Sequence, residues 1–497
     1  MRNPFKVILF LNLFIITSTI ISQVKNPFLN RNFWKTNPSI KTIKQKIQEG
    51  HSPSALNKFG FDAVVYALLE NNSKEVIKYL LSKKGNDINK LTHDGRTYIF
   101  WATYKNNLPI VKYLLANGAK TTIIDDKGYS ILNFAAVTGV DNPKLYDLFI
   151  KHGANVLTEV TPKGANPLLL IIPNLKDFSM VGYFIDKGLS LYSTDKNGNG
   201  AFNYTAQKGN KSMLSLLIKK GLPHKKINKI GGNAMLFATK PSRKGYNSLD
   251  FFKYLEKLGI SPNITNKEGI NPLHNLAYRN NDINTFHYFI NKGLDINQVD
   301  NEGNTPLLNA ASRNSIEIIQ LLTNQNTNIN HVNKKGQSAL MKALNNKMDV
   351  IQFLLSKGAS ITHTDNMGNN LSYYLFNTFS SKEDTAFLKK LKILEAKGLV
   401  VTKPQGNGNT LYHLAVKKQQ LPLLHFIKKY TIDINARNQE GLSPLQKAVM
   451  TAKNDVIIKY LISEGANTSI KTEFNETLYD LAKENEALKG IDLNFLQ

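Results

Sequence analysis

Apolar residues in this chain fall into short runs at helical spacing, separated by glycine-centred turns. Residues 303–336 show one full period. Thr305-Pro306 opens a short helix, because proline is tolerated in a first turn where its missing N–H has no helical partner. Leu307, Ala310 and Ala311 give that helix an apolar face of small residues. Ile316, Ile318, Ile319, Leu321 and Leu322 follow at the spacing of a second helix. In most periods a glycine then ends the second helix, taking the left-handed cap conformation. An extended stretch such as Asp295-Ile296-Asn297 leads into a turn such as Asp300-Asn301-Glu302-Gly303. Asp or Asn three residues before the glycine suits such a turn.

The turn glycine sets a register. Gly60, Gly95, Gly128, Gly164, Gly198, Gly231, Gly269, Gly303, Gly336, Gly368, Gly408 and Gly441 recur at intervals of 32 to 40 residues, and Asn475 extends the series by one. Ten residues before this anchor a second glycine stands in ten of thirteen periods, as at Gly50, Gly118, Gly221, Gly358 and Gly465. Gly153 is one residue out, and Asn326 and Thr431 replace the other two. A period of this length predicts a helix–turn–helix solenoid. Three periods are stretched, around 140–143, 240–248 and 376–387. Each stretch is expected between the two helices of its unit, where solenoids accept insertions.

The unit resembles the ankyrin repeat. The first half reads EGNTPLLNAA at 302–311, EGINPLHNLA at 268–277, GNTLYHLA at 408–415 and EGLSPLQKA at 440–448. The second half reads IKYLLSKKGNDIN at 77–89, VKYLLANGA at 111–119, IQFLLSKGAS at 352–360 and IKYLISEGAN at 458–467. The resemblance implies an all-α repeat solenoid of about 12–13 units, each two antiparallel helices and a β-turn finger. It also implies that His274 and His413, at the T-P-L-H position, hold the turn through hydrogen bonds. The array is expected over 38–490, with a half-repeat cap at 38–59, a polar cap at 472–490 and a tail at 491–497. Residues 23–37 form a leader that packs over the first cap through Phe28, Phe33 and Trp34 or stays loose.

Arg2 and Lys6 precede an apolar run from Val7 to Ile21, the pattern of a cleavable signal. Bilayer helices need roughly 20 apolar residues, and this run is shorter. Residues 1–22 are therefore expected to be a signal peptide, and the chain an exported one, periplasmic or secreted. The chain has no cysteine, which excludes disulfides, thiolate metal sites and cysteine nucleophiles. Lys and Arg number 63 against 37 Asp and Glu, a formal charge of +26. Such a field favours an acidic protein face or an anionic polymer, although the lysines are spread along the whole chain.

Catalytic constellations are missing from the sequence. There is no G-x-S-x-G elbow, H-E-x-x-H pair or phosphate-binding G-x-x-x-x-G-K-[ST]. No cofactor, metal or catalytic residue is assigned. His331 and His363 share one position on neighbouring fingers, but a metal site needs further ligands. Binding is the default, and its surface in this family is the finger tips and the exposed first-helix positions. Those positions hold Tyr104, Lys105, Lys208, Tyr278, Arg279, Arg313, Lys417 and Lys418, with Arg243 in the basic inserted loop. Tyr98 and Trp101 join them as aromatic anchors in the first full helix pair, where tryptophan and tyrosine are favoured contact residues. The expected partner is another protein, with nucleic acid not specifically expected. The alternative is an anionic polymer bound through net charge.

Overall fold

The computed structural model describes residues 26–242, 245–380 and 384–497. The expected signal at 1–22 and Arg243 lie outside them. The chain divides into two compact units, one up to Lys196 and one from Asn197 onward. Both are stacks of antiparallel helix pairs, an all-α repeat architecture. In the first unit Tyr98–Tyr104 packs on Ala63–Leu69 and Ile131–Thr138, first helix on first helix. In the second, Ile283–Asn291 packs on Leu249–Lys257 and Ile316–Leu321, second helix on second helix. Among the described residues there is no β-strand, and the fingers are turns.

Local chemistry explains each pair. Thr305 caps the helix Pro306–Ala310 by accepting from the Leu308 N–H at 3.3 Å, and Pro306 fills its first turn. Leu307, Leu308, Ala310, Ala311, Ile318, Ile319 and Leu322 are all buried. Burying each large aliphatic contributes roughly 1.5–3 kcal/mol. Each helix pair touches only its neighbours, so this apolar seam runs from pair to pair.

The two glycine series do different work. Gly358, at the end of its second helix, has φ +82 and open space where a Cβ would stand. The anchor Gly303 has φ +77, and a Cβ there would lie 2.8 Å from the Lys334 nitrogen and 3.0 Å from the Asn333 Cα on the next finger. At that point the fingers are joined by backbone bonds, from Asn301 N–H to Glu268 O at 2.8 Å and from Lys334 N–H to Glu302 O at 2.9 Å. The first unit repeats the bond from Lys196 N–H to Lys163 O at 2.9 Å. Pro162, with no N–H, stands at the donor position of one junction, and its ring packs beside Gly128 instead. In the period at 472–490 Asn475 takes φ +63 without glycine, and no further finger packs against it among the described residues.

The helix ends are tied across units as well. Asn314 Nδ2 donates to Ala277 O at 2.7 Å and Asn280 O at 2.9 Å, and Asn346 Nδ2 donates to Ala311 O and Asn314 O, both at 2.9 Å. Asn247 does the same at the end of the 240–248 insertion, reaching Ala206 O at 3.1 Å and Ala238 O at 2.9 Å. Phe376 and Phe387, at the two ends of the 376–387 stretch, join an aromatic cluster, with Phe387 lying 5.3 Å from Phe376 and 5.5 Å from Phe426. Each of the three stretches falls where the first helix of a pair ends and the second begins.

The ends differ from the periodic pattern. The helix Arg31–Lys35 stacks on Ala63–Leu69, and Ile40–Gln48 stacks on Lys74–Leu81, so the N-terminal element is a full helix pair. Trp34 is fully buried and its indole N–H donates to Phe28 O at 2.9 Å. This first helix lacks the proline-led motif, so periodicity is silent there. At the other end Leu496 is buried, and Asn494–Leu496 folds back on Leu478–Glu484.

His274 and His413 hold their turns. His413 Nδ1 accepts the Thr410 N–H at 3.1 Å, and Nε2 donates to Leu442 O of the next unit at 3.0 Å. His274 spans Asn271 and Asn304 O (3.1 Å) in the same way. The pattern requires neutral imidazole, and burial holds both groups below the ordinary histidine range. Gln446 caps its own helix from the same position, accepting the Ser443 N–H at 2.9 Å.

Two predictions follow from these contacts. Gly358→Ala costs about 1–2 kcal/mol, the left-handed penalty alone, whereas Gly303→Ala costs roughly 3 kcal/mol or more because the next finger must also move. Urea unfolding of the two variants reads the difference, and equal losses would refute the distinction. Histidines with depressed native values stabilise fully above the ordinary pKa of about 6.5 and progressively less as pH falls below it. The pair His274→Gln and His413→Gln should therefore lose less stability than the parent between pH 7 and pH 5. Parallel declines in melting temperature would sink that assignment.

Candidate functional site

In the first unit the structure corrects two expected contact residues. Tyr98 is fully buried, and its hydroxyl donates to Asp62 Oδ2 at 2.7 Å beside Lys90 Nζ, which reaches the same oxygen at 2.8 Å. Burial and the Asp62 charge push the phenol far above its usual range. Trp101 is also buried, with its indole N–H on Thr92 Oγ1 at 2.8 Å and its ring near Phe61 and the Arg96 guanidinium. Arg96 is in turn held by Asp125 at 2.9 Å and Asp94 at 3.0 Å. These aromatics are core, and they pack on the unit's own fingers and not on Phe33 or Trp34. Tyr104 is exposed at the end of its helix, and Lys105 beside it is half-buried.

In the second unit three expected residues come together. The short helix Pro272–Ala277 ends at Tyr278, which is 44% exposed, with Arg279 exposed next to it. Asn314 pins the following loop to Ala277 O, which sets Arg313 against the same tyrosine. The Arg279 and Arg313 guanidinium carbons lie 5.4 and 5.6 Å from the Tyr278 ring centroid. Each exposed cation–π contact is worth about 0.5–1 kcal/mol, so the ring is steadied by two neighbouring cations. The neighbouring staple at Asn346 brings Lys347 onto the same side of the stack.

The remaining lysines separate. Lys418 is half-buried and serves as a structural tie: its ammonium donates to Asn377 O at 2.7 Å at the end of the helix Leu371–Asn377, and burial lowers its pKa. A cation at a helix C-terminus is favoured there. Lys417 is exposed and borders a small hollow with Met367 and Tyr373. Lys208 is half-buried at the end of Ala201–Lys208. His331 Nε2 is engaged by Gly303 O at 2.8 Å. Among the described residues no three His, Asp or Glu side chains are grouped to hold a metal ion.

One surface has no counterpart in the sequence reading. Four residues before the anchors, Leu56, Leu91, Ile124 and Val160 stand 45–63% exposed on successive fingers of the first unit. The signal was present as an apolar residue recurring at one finger position. It is masked by the many buried apolar positions around it.

Comparison with known proteins agrees with this architecture. The profile described as "Ankyrin repeats (3 copies)" matches residues 35–125, 64–160, 242–333 and 273–365, together half of the chain. The chain is 27% identical over 180 residues to "Palmitoyltransferase ZDHHC13" of Homo sapiens, covering 36% of this chain and 28% of that protein. It is 32% identical over 90 residues to "Putative ankyrin repeat protein FPV219" of Fowlpox virus (strain NVSL), covering 18% of this chain and 20% of that protein. The matches thus span between a fifth and little more than a quarter of these relatives' own length. A chain of "Bd0816 Predatory Endopeptidase from Bdellovibrio bacteriovorus in complex with immunity protein Bd3460" matches at 21% identity and TM-score 0.32, over 38% of this chain and 97% of that one. Superposition that loose carries no structural conclusion. From the profile match and the stacked helix pairs alike, the chain belongs to the ankyrin repeat family.

Proposed function

We propose that this protein is an exported, non-enzymatic scaffold that binds an acidic protein face, with Tyr278, Arg279 and Arg313 as its central contact. Ankyrin repeats in general are protein-interaction scaffolds. The observation that carries the finer reading is the exposed Tyr278 ring with two guanidinium groups within 5.4 and 5.6 Å of its centroid. Tyrosine and arginine are enriched among the contacts that dominate binding energy. A ring already fixed in place loses little side-chain entropy on binding, and the flanking cations favour carboxylates on the partner. The formal charge of +26 supports the same sign of partner. Export rests on the basic start and the apolar run Val7 to Ile21.

Affinity capture from the native cell envelope tests this face. A partner retained by the parent should bind Tyr278→Ala/Arg279→Glu at least about tenfold more weakly, and equal retention would refute the assignment. The polymer alternative is separated by salt, since polyanion binding falls steeply and linearly in log K against log salt. Export has its own check: the chain recovered outside the cytoplasm should begin near Gln23, and an intact Met1 terminus there would contradict cleavage.

A further inference from the structure

Next to Arg313 a cleft of about 600 Å³ opens in the second unit. Arg313, Lys347, Lys389 and Lys390 line it together with Met348 and Thr385, and none of its lining residues among those described is acidic. Among the described residues none of these four cations forms an ion pair. Lys390 is the unusual member. It is only 9% exposed, and its ammonium donates to Leu344 O at 2.8 Å, which leaves two of its three N–H groups beyond that bond. Burial holds this amine below the ordinary lysine range. Asp384, a nearby carboxylate whose charge Lys390 feels, accepts the Phe387 N–H at 3.0 Å and forms no ion pair with that lysine.

Gathering four cations around one cleft is unfavourable without an opposing charge. Two carboxylates stand at the helix starts beside the cleft: Asp349 accepts the Val350 N–H at 2.7 Å in the first turn of Met348–Ser356, and Asp384 caps Thr385–Ala396, which leaves the four cations in excess. One carboxylate would offset a single cation, whereas a phosphate group brings close to two negative charges and several acceptor oxygens. Arginine and lysine are the side chains that bind such a group.

We propose that this cleft is an oxyanion site that takes a phosphate group, either as the free ion or as a phosphate ester. Arg313 and Lys347 supply the outer contacts, and Lys389 and Lys390 the inner ones. The site stands or fails without any protein partner, so its test is separate from that of the Tyr278 face.

Calorimetric titration of the full chain at low salt with inorganic phosphate and with O-phosphoserine provides the test. Saturable binding of at least one probe is expected, weakened at least tenfold in Lys347→Gln/Lys389→Gln and unchanged in Lys453→Gln, an exposed lysine away from the cleft lining. Both altered lysines are exposed, and an unchanged thermal melt would show that the variant folds. Tighter binding of inorganic phosphate identifies the free ion as the source, and tighter binding of phosphoserine identifies the ester. Failure of both probes to bind saturably, or equal binding by the parent and the double variant, would overturn the proposal.

Discussion

Everything in these stacks depends on how closely one finger approaches the next. At most of the junctions one backbone bond, such as Lys334 N–H to Glu302 O at 2.9 Å, draws successive turns together. At anchors such as Gly303, Gly336 and Gly368 that approach leaves no room for a Cβ against the next finger's backbone. Glycine is therefore required twice there, once for its left-handed φ and once for the neighbour it faces. Second-helix glycines such as Gly358, Gly118 and Gly465 face open space and satisfy only the first requirement. Asn475 illustrates the difference, because asparagine tolerates the left-handed region and no further finger packs against it among the described residues.

This constraint is why so much of the fold was legible without coordinates. A strict steric demand leaves a strict residue, and the glycine register reports it at nearly every period. The capping roles of His274 and His413 were legible for a similar reason, since each must bridge its own turn and the next unit's carbonyl. The N-terminal pair was not legible. Arg31–Lys35 reaches its place through Trp34 and Phe28, a local aromatic solution with no period. The tail was missed likewise, because burying Leu496 depends on a fold-back contact that no spacing rule encodes.

The candidate site was legible in part. Tyr278, Arg279 and Arg313 share one surface because helix ends in successive pairs are stapled by asparagine, and that spacing recurs in the sequence. Tyr98 and Trp101 were misplaced because residue type alone does not separate an anchor from a core aromatic. The deciding facts are Asp62 beneath Tyr98 and Thr92 beneath Trp101, both remote in the local pattern. Lys418 shows the same limit, since its carbonyl partner at Asn377 belongs to the preceding unit across a stretched loop.

A stack zipped in this way should open as a structure and not finger by finger. Native-state hydrogen exchange reads it at the finger amides of Asn301, Lys334 and Asn366, which donate to Glu268, Glu302 and Lys335. The account predicts protection of these amides comparable to that of the helix Met348–Ser356, although they lie in turns near the surface. Exchange at the rate of free loop amides, with the helices still protected, would contradict it.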